Sequence, residues 1–154
     1  MDLETFKTMY PDMFPNLKPG RYEIIADADP GYNCVAKTVG LTDRWYWPGY
    51  SEREFDAFYA RHGFKPLGDA DALALVVEAG VEKVVIYRNS RGASPTHAAR
   101  QLPGGRWLSK MGTLEEIIHQ HPDDVSGPDY GRPARVYIKG RNKPQQMRFN
   151  FFGT

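Results

Sequence analysis

Cys34 is the single thiol in 154 residues, and His97, in Ser94-Pro95-Thr96-His97-Ala98, is the imidazole best placed to serve it. A thiolate attacks a carbonyl, and a neighbouring imidazole holds the proton and returns it to the leaving group. Asn33 is a good helix N-cap directly before Cys34, after the chain-breaking pair Pro30-Gly31. On a first helical turn the dipole and free N–H groups favour a thiolate, and the Cys34 N–H is itself a candidate oxyanion donor. The third catalytic position falls to Ser109, a weaker orienter of an imidazole than Asn or Asp, with Gln101 and Asp129 as other choices. The competing reading makes Cys34 a small buried hydrophobe, which is what free cysteines most often are.

A substrate of such a site would lie against Asn33, Trp45, Trp47, Gln101, Trp107, Lys110 and His119, with the tryptophans as groove walls. Arg100 and Lys110 would bind a carboxylate, although strand alternation puts both on the face opposite His97. Metal is a poor fit. His119 and His121 are two apart, which on a helix points them in different directions, and one cysteine excludes thiolate-rich zinc sites. No metal ligand set and no cofactor is expected. Gly104-Gly105 reads as a hairpin turn, no Gly-rich phosphate loop is present, and no Gly-x-Ser-x-Gly elbow occurs.

The elements that must position these residues follow from periodicity. Residues 1–30 form a proline-rich extended arm, with Pro11, Pro15, Pro19 and Pro30 among Tyr10, Phe14, Leu17 and Tyr22. Residues 22–26 read as an edge strand, and the Cys34 helix ends at Gly40. Trp45-Tyr46-Trp47-Pro48-Gly49-Tyr50 is an aromatic loop that either lines a groove or lids the core. Ser51-Glu52-Arg53-Glu54 is a capping box for a helix with Phe55, Phe58, Tyr59 and His62 along one stripe. A second helix is predicted over 69–79, with Leu73, Val76 and Val77 on one face and Gly80 as its stop.

The period then changes to two. Residues 83–88 read as a strand buried on both faces, and 96–102 with 106–111 as a hairpin around Pro103-Gly104-Gly105. If Leu102 faces Arg106, then Gln101 faces Trp107, and His97, Ala99, Gln101, Trp107, Ser109 and Met111 share one face. Thr113-Leu114-Glu115-Glu116 predicts another capped helix to His121, ended by Pro122, and 133–138 a last strand. Residues 139–154 are a basic and aromatic tail. Helices first and an antiparallel sheet after make the class α+β, a single domain with the arm and helices packed on a small sheet. Helix-borne Cys, then strand-borne His, is also the element order of papain-like thiol hydrolases.

Composition bounds the partners. With a formal net charge of +1 and 25% charged residues, no overall field argues for nucleic acid or a membrane surface. No secretory leader is visible, and no apolar run approaches the ~20 residues of a membrane span, so a cytoplasmic location is expected.

Taken together, the blocks Tyr32-Asn33-Cys34-Val35-Ala36, Trp45-Tyr46-Trp47-Pro48, Thr96-His97-Ala98-Ala99-Arg100-Gln101, Gly105-Arg106-Trp107-Leu108-Ser109-Lys110-Met111-Gly112 and Glu116-Ile117-Ile118-His119 form a distinctive series. In that order they resemble an uncharacterised, mostly bacterial domain family of the DUF7689 type, over about residues 14–138. Met111 stands where that family often has Leu, and Lys37 where it often has an apolar residue. The resemblance implies membership and no activity.

Three functional readings follow. The first is a papain-like cysteine hydrolase or amidase acting on a peptide or side-chain amide through Cys34 and His97. The second is a non-catalytic protein-interaction module of a bacterial or phage-associated system, using the aromatic loop. The third is a metal-dependent enzyme around His97 and His119. A protein or peptide is the substrate or partner in the first two.

Overall fold

Four consecutive residues, Val84-Val85-Ile86-Tyr87, are buried on both faces of the strand Val81–Arg88 (β3), which therefore lies inside a sheet with cover on each side. The computed structural model describes residues 12–140. The other strands are Tyr22–Ala26 (β1), Lys65–Asp69 (β2), Pro95–Gln101 (β4), Trp107–Lys110 (β5), Glu116–His119 (β6) and Arg132–Gly140 (β7). All seven form one antiparallel sheet in the order β1-β6-β5-β4-β3-β7-β2. Three helices that lie wholly among the described residues complete an α+β fold dominated by its sheet: Cys34–Thr38 (α1), Glu52–Arg61 (α2) and Ala72–Leu75 (α3).

Local chemistry explains the first two helices. Asn33 is extended and its Oδ1 accepts from the Ala36 amide, and Ser51 does the same for Glu54, so each helix begins at a true N-cap. Both pack on one face of the sheet, where Cys34, Val35, Phe55, Phe58, Tyr59 and Phe64 meet Val84, Ile86, Ala98 and Tyr137. The Thr38 and Tyr59 hydroxyls share a hydrogen bond of 2.7 Å, joining α1 to α2. Asp56 ties α2 to β7, accepting from Arg135 Nε and Nη2 at 2.9 Å each and from the Tyr137 hydroxyl. The opposite face carries Val85, Tyr87, Ala99, Trp107, Met111, Ile117 and Val136, covered by Phe14, Leu17 and Val125.

Two predicted helices are corrected. Residues 69–79 contain only the single turn of α3, and Leu73, Val76 and Val77 are exposed rather than core, Leu73 at 81%. Lys83 is the reason. Its buried ammonium donates to the Ala74 and Val76 carbonyls at 2.8 and 2.7 Å and reaches Glu78 at 2.6 Å, spending all three protons where a longer helix would continue. The helix predicted over 113–121 is instead β6 followed by a 3-10 turn, Pro122–Val125. Glu116-Ile117-Ile118-His119 finds a ladder on each side, with β1 and with β5, and that pairing overrides the capping pattern. The hairpin behaves as its turn chemistry predicts: Leu102 donates to the Arg106 carbonyl at 2.7 Å and Gln101 pairs with Trp107.

The proline-rich stretch is anchored by buried Phe14 and Leu17 and supplies β1, while its first eleven residues lie outside the described part. The predicted tail contributes Lys139 and Gly140 to β7, and residues 141–154 lie outside the described residues. No helix among the described residues is long and apolar enough to cross a membrane.

Candidate functional site

Adjacent residues of a strand face opposite ways, and β4 applies that rule to the proposed dyad. Ala98 packs with Cys34 on the helix-covered face. His97 points to the other face, edge-on to Tyr87 at 5.0 Å between ring centres and stacked on Tyr130 at 4.0 Å and 3°. The sheet thus lies between thiol and imidazole, and the two are not brought together. The Cys34 thiol is closed in as well, at 5% residue exposure. Burial pushes its pKa up to about 11, against the Ala98, Val35 and Cys34 amides and the Lys110 charge, which pull it down. The helix-start donors expected to favour a thiolate are present, and desolvation outweighs them.

What β4, β5 and β6 assemble on the other face is a closed relay. His119 Nδ1 lies 3.0 Å from the His121 carbonyl, which can only accept, so the proton of His119 sits on Nδ1. His119 Nε2 then accepts from the Ser109 hydroxyl at 2.8 Å, and Ser109 Oγ accepts from His97 Nε2–H at 3.1 Å. That assignment leaves His97 Nδ1 a bare acceptor, and it is buried without a partner. Both rings are neutral. Burial and then the neighbouring His119 hold His97 well below the ordinary imidazole range, and burial brings His119 down to about 4. Ser109 therefore orients two imidazoles, yet all three residues are fully enclosed, at 0% exposure.

The remaining predicted site residues divide cleanly. Gln101 is buried and donates to the Leu75 carbonyl at 2.9 Å, holding α3, and Trp107 is core at 2% exposure. Lys110 is enclosed, donating to the Asp29 and Gly112 carbonyls at 2.7 and 2.6 Å, with the Tyr32 ring 4.8 Å from its ammonium. Burial pulls its pKa down while Asp29 and Glu116 hold it up. Glu116, which the sequence did not single out, joins this cluster by accepting from the Tyr32 hydroxyl at 2.5 Å and pairing with Lys37 at 3.2 Å. Among the described residues no group of three or more His, Cys, Asp or Glu side chains is arranged to hold a metal ion.

Of the predicted substrate contacts, those on the aromatic loop face solvent, and Asp129, the alternative third catalytic residue, is exposed as well. Trp45 is 50% exposed, Trp47 41% and Tyr50 80%. The loop is braced at every step. Asn33, in addition to capping α1, donates to the Tyr46 carbonyl at 2.7 Å and accepts from its amide at 3.1 Å. The Trp45 indole donates to the Pro30 carbonyl at 2.6 Å, and Trp47 meets Phe55 edge-to-face at 5.4 Å. The Tyr50 amide donates to Glu54, and the Ser94 hydroxyl donates to the Tyr50 carbonyl. Asn33, read from sequence as a substrate contact, is the brace of this loop. Tyr50 is part of the predicted loop, whereas the clamps on it from Glu54 and Ser94 lacked a signal, because their spacing from the tryptophans follows no period.

No curated protein and no solved structure matches the chain. A domain-family sequence model, that of a domain of unknown function (DUF7689), matches residues 23–138, the span from β1 into β7 that holds every predicted site residue. The chain belongs to the DUF7689 family.

Proposed function

We propose that the chain is a non-catalytic protein-interaction module whose docking surface is the aromatic loop 45–50, the partner being a protein or peptide. The observation that carries this reading is the exposure of Trp45, Trp47 and Tyr50 on a loop whose backbone is already pinned. Large aromatic side chains supply most of the binding energy at protein interfaces. A surface held in one conformation loses little entropy when a partner arrives. Cys34, His97 and Ser109, enclosed and divided between two faces, act in this reading as structural residues.

A photo-crosslinking amino acid in place of Tyr50, in cells that carry the protein, tests it. The expected result is one discrete adduct that disappears with Trp47→Ala and persists with Cys34→Ala. A pattern unchanged by Trp47→Ala, or identical to that from a crosslinker at exposed Leu67 on β2, would overturn the proposal.

A further inference from the structure

A second feature of the helix-covered face is independent of the loop. Where α1 and α2 both end above the sheet, they leave a cavity of about 110 Å³ whose walls include His62, Phe64, Glu82, Arg100 and Lys139. The register builds it. Arg100 pairs with Val84 and Glu82 with Lys139, and Val84 pairs with Tyr137. Alternation therefore puts Arg100, Glu82 and Lys139 on the same face as Val84 and Tyr137, just beyond the edge of that apolar cluster. The cavity is polar because the core ends there.

Its charges do not cancel. Arg21, Lys37, Lys83, Arg88, Arg106 and Arg135 each have a carboxylate within ion-pair distance. Among the described residues, no carboxylate comes that close to Arg100 or Lys139, although Glu82 stands directly across the ladder from Lys139. Lys139 instead runs its stem over Gly63 and holds its ammonium 5.4 Å from the centre of the Phe64 ring. His62 is half-buried beside them, and its pKa is lowered by burial first and then by Lys139 and Arg61, as expected in a positive field.

Cations also gather near helix C-termini simply to answer the dipole. Here two carbonyls in the last turn of each helix are already taken by backbone amides. Those of Ala36 and Lys37 accept from Val39, Gly40 and Leu41, and those of Tyr59 and Ala60 from His62, Gly63 and Phe64. Among the described residues no hydrogen bond runs from Arg100 or Lys139 to these carbonyls, and both side chains line the cavity instead.

We propose that this cavity is a binding site for a phosphate-type oxyanion, with Arg100 and Lys139 supplying the charge and Glu82 setting the limit on affinity. Its volume admits one such group and falls well short of the roughly 300–1,000 Å³ of sites that enclose whole cofactors. The anion is either free phosphate or a phosphate carried by a larger molecule outside the cavity.

The test is a titration of the full chain with inorganic phosphate at constant ionic strength, followed by amide NMR shifts and thermal midpoint. Phosphoserine serves as the second ligand, and chloride and acetate as controls. The expected result is saturable phosphate binding that shifts the amides of Gly40, His62 and Arg100, weakened about tenfold or more by Arg100→Gln or by Lys139→Gln. Glu82→Gln should tighten it. Binding of phosphate but not phosphoserine assigns the site to the free anion, and equal binding of both assigns it to a group on a larger molecule. An unsaturable response, an equal response to chloride, or variants that titrate like the parent would overturn the proposal. Should Arg100→Gln fail to fold, Lys139→Gln, at a partly exposed position near the end of β7, gives the same reading.

Discussion

The two faces of the sheet spend their polar residues differently. On the face under α1 and α2, buried polar groups pair locally with partners of fixed identity: Tyr32 with Glu116, Lys110 with two carbonyls, Thr38 with Tyr59. On the other, three strands contribute to one continuous chain through His97, Ser109 and His119, which ends on an unpaired nitrogen. Cys34 belongs to the first face and His97 to the second, one residue of β4 apart in parity. A cysteine and a histidine in the right order along a chain are therefore no dyad until the side of the sheet is known.

The histidine face is therefore the fragile one. Ser109→Val should cost most, roughly 3 kcal/mol or more in denaturant unfolding, because it strands two buried imidazole nitrogens at once. A loss below ~1 kcal/mol would mean the relay is not formed. Acid should attack the same face. His97 and His119 are held neutral, so their folded-state pKa values lie below the ordinary 6.5, at about 4 for His119. The unfolded chain takes up those protons first. Their contribution is thus complete above about pH 6.5 and declines as pH falls toward 4, on the order of 3 kcal/mol for His119 alone. Unfolding midpoints at pH 7.5 and 5 measure it, and a flat profile would contradict the assigned protonation.

Gly131→Ala probes the support of that face. Gly131 follows the stacked Tyr130 at φ +73, and a Cβ there would collide with the Arg88 carbonyl oxygen and the Asn89 Cα. The substitution should cost about 2 kcal/mol by thermal unfolding, since both the conformation and the space exclude a side chain. The mildest change is Cys34→Ala, which removes one buried sulfur from an apolar cluster and should cost about 1 kcal/mol without loss of crosslinking at the loop.

Much of this fold is legible in the sequence where local and tertiary preferences agree. Asn33 and Ser51 cap the helices they were expected to cap, Val84 to Tyr87 form the doubly buried strand, and Pro103-Gly104-Gly105 sets the register that aligns His97 with Ser109. Legibility fails where a pattern has two solutions. Thr113-Leu114-Glu115-Glu116 satisfies a capping box, but only the fold supplies the strands on either side that turn Glu116 to His119 into β6. Lys65–Asp69, with a proline and a glycine, lacks strand periodicity and becomes β2 by pairing with β7 across an irregular register. The site residues fail for a further reason. Composition shows that Gln101, Trp107, Lys110 and His119 are polar or aromatic, whereas burial, which decides between contact and core, depends on packing from distant segments.

Cys34 is a structural thiol in this account, and its reactivity measures that role most directly. Iodoacetamide labelling of the native protein should be negligible below pH 8.5, as a pKa of about 11 requires, and His97→Ala should leave the profile unchanged. Rapid labelling of Cys34 below pH 8 that disappears in His97→Ala would contradict the account.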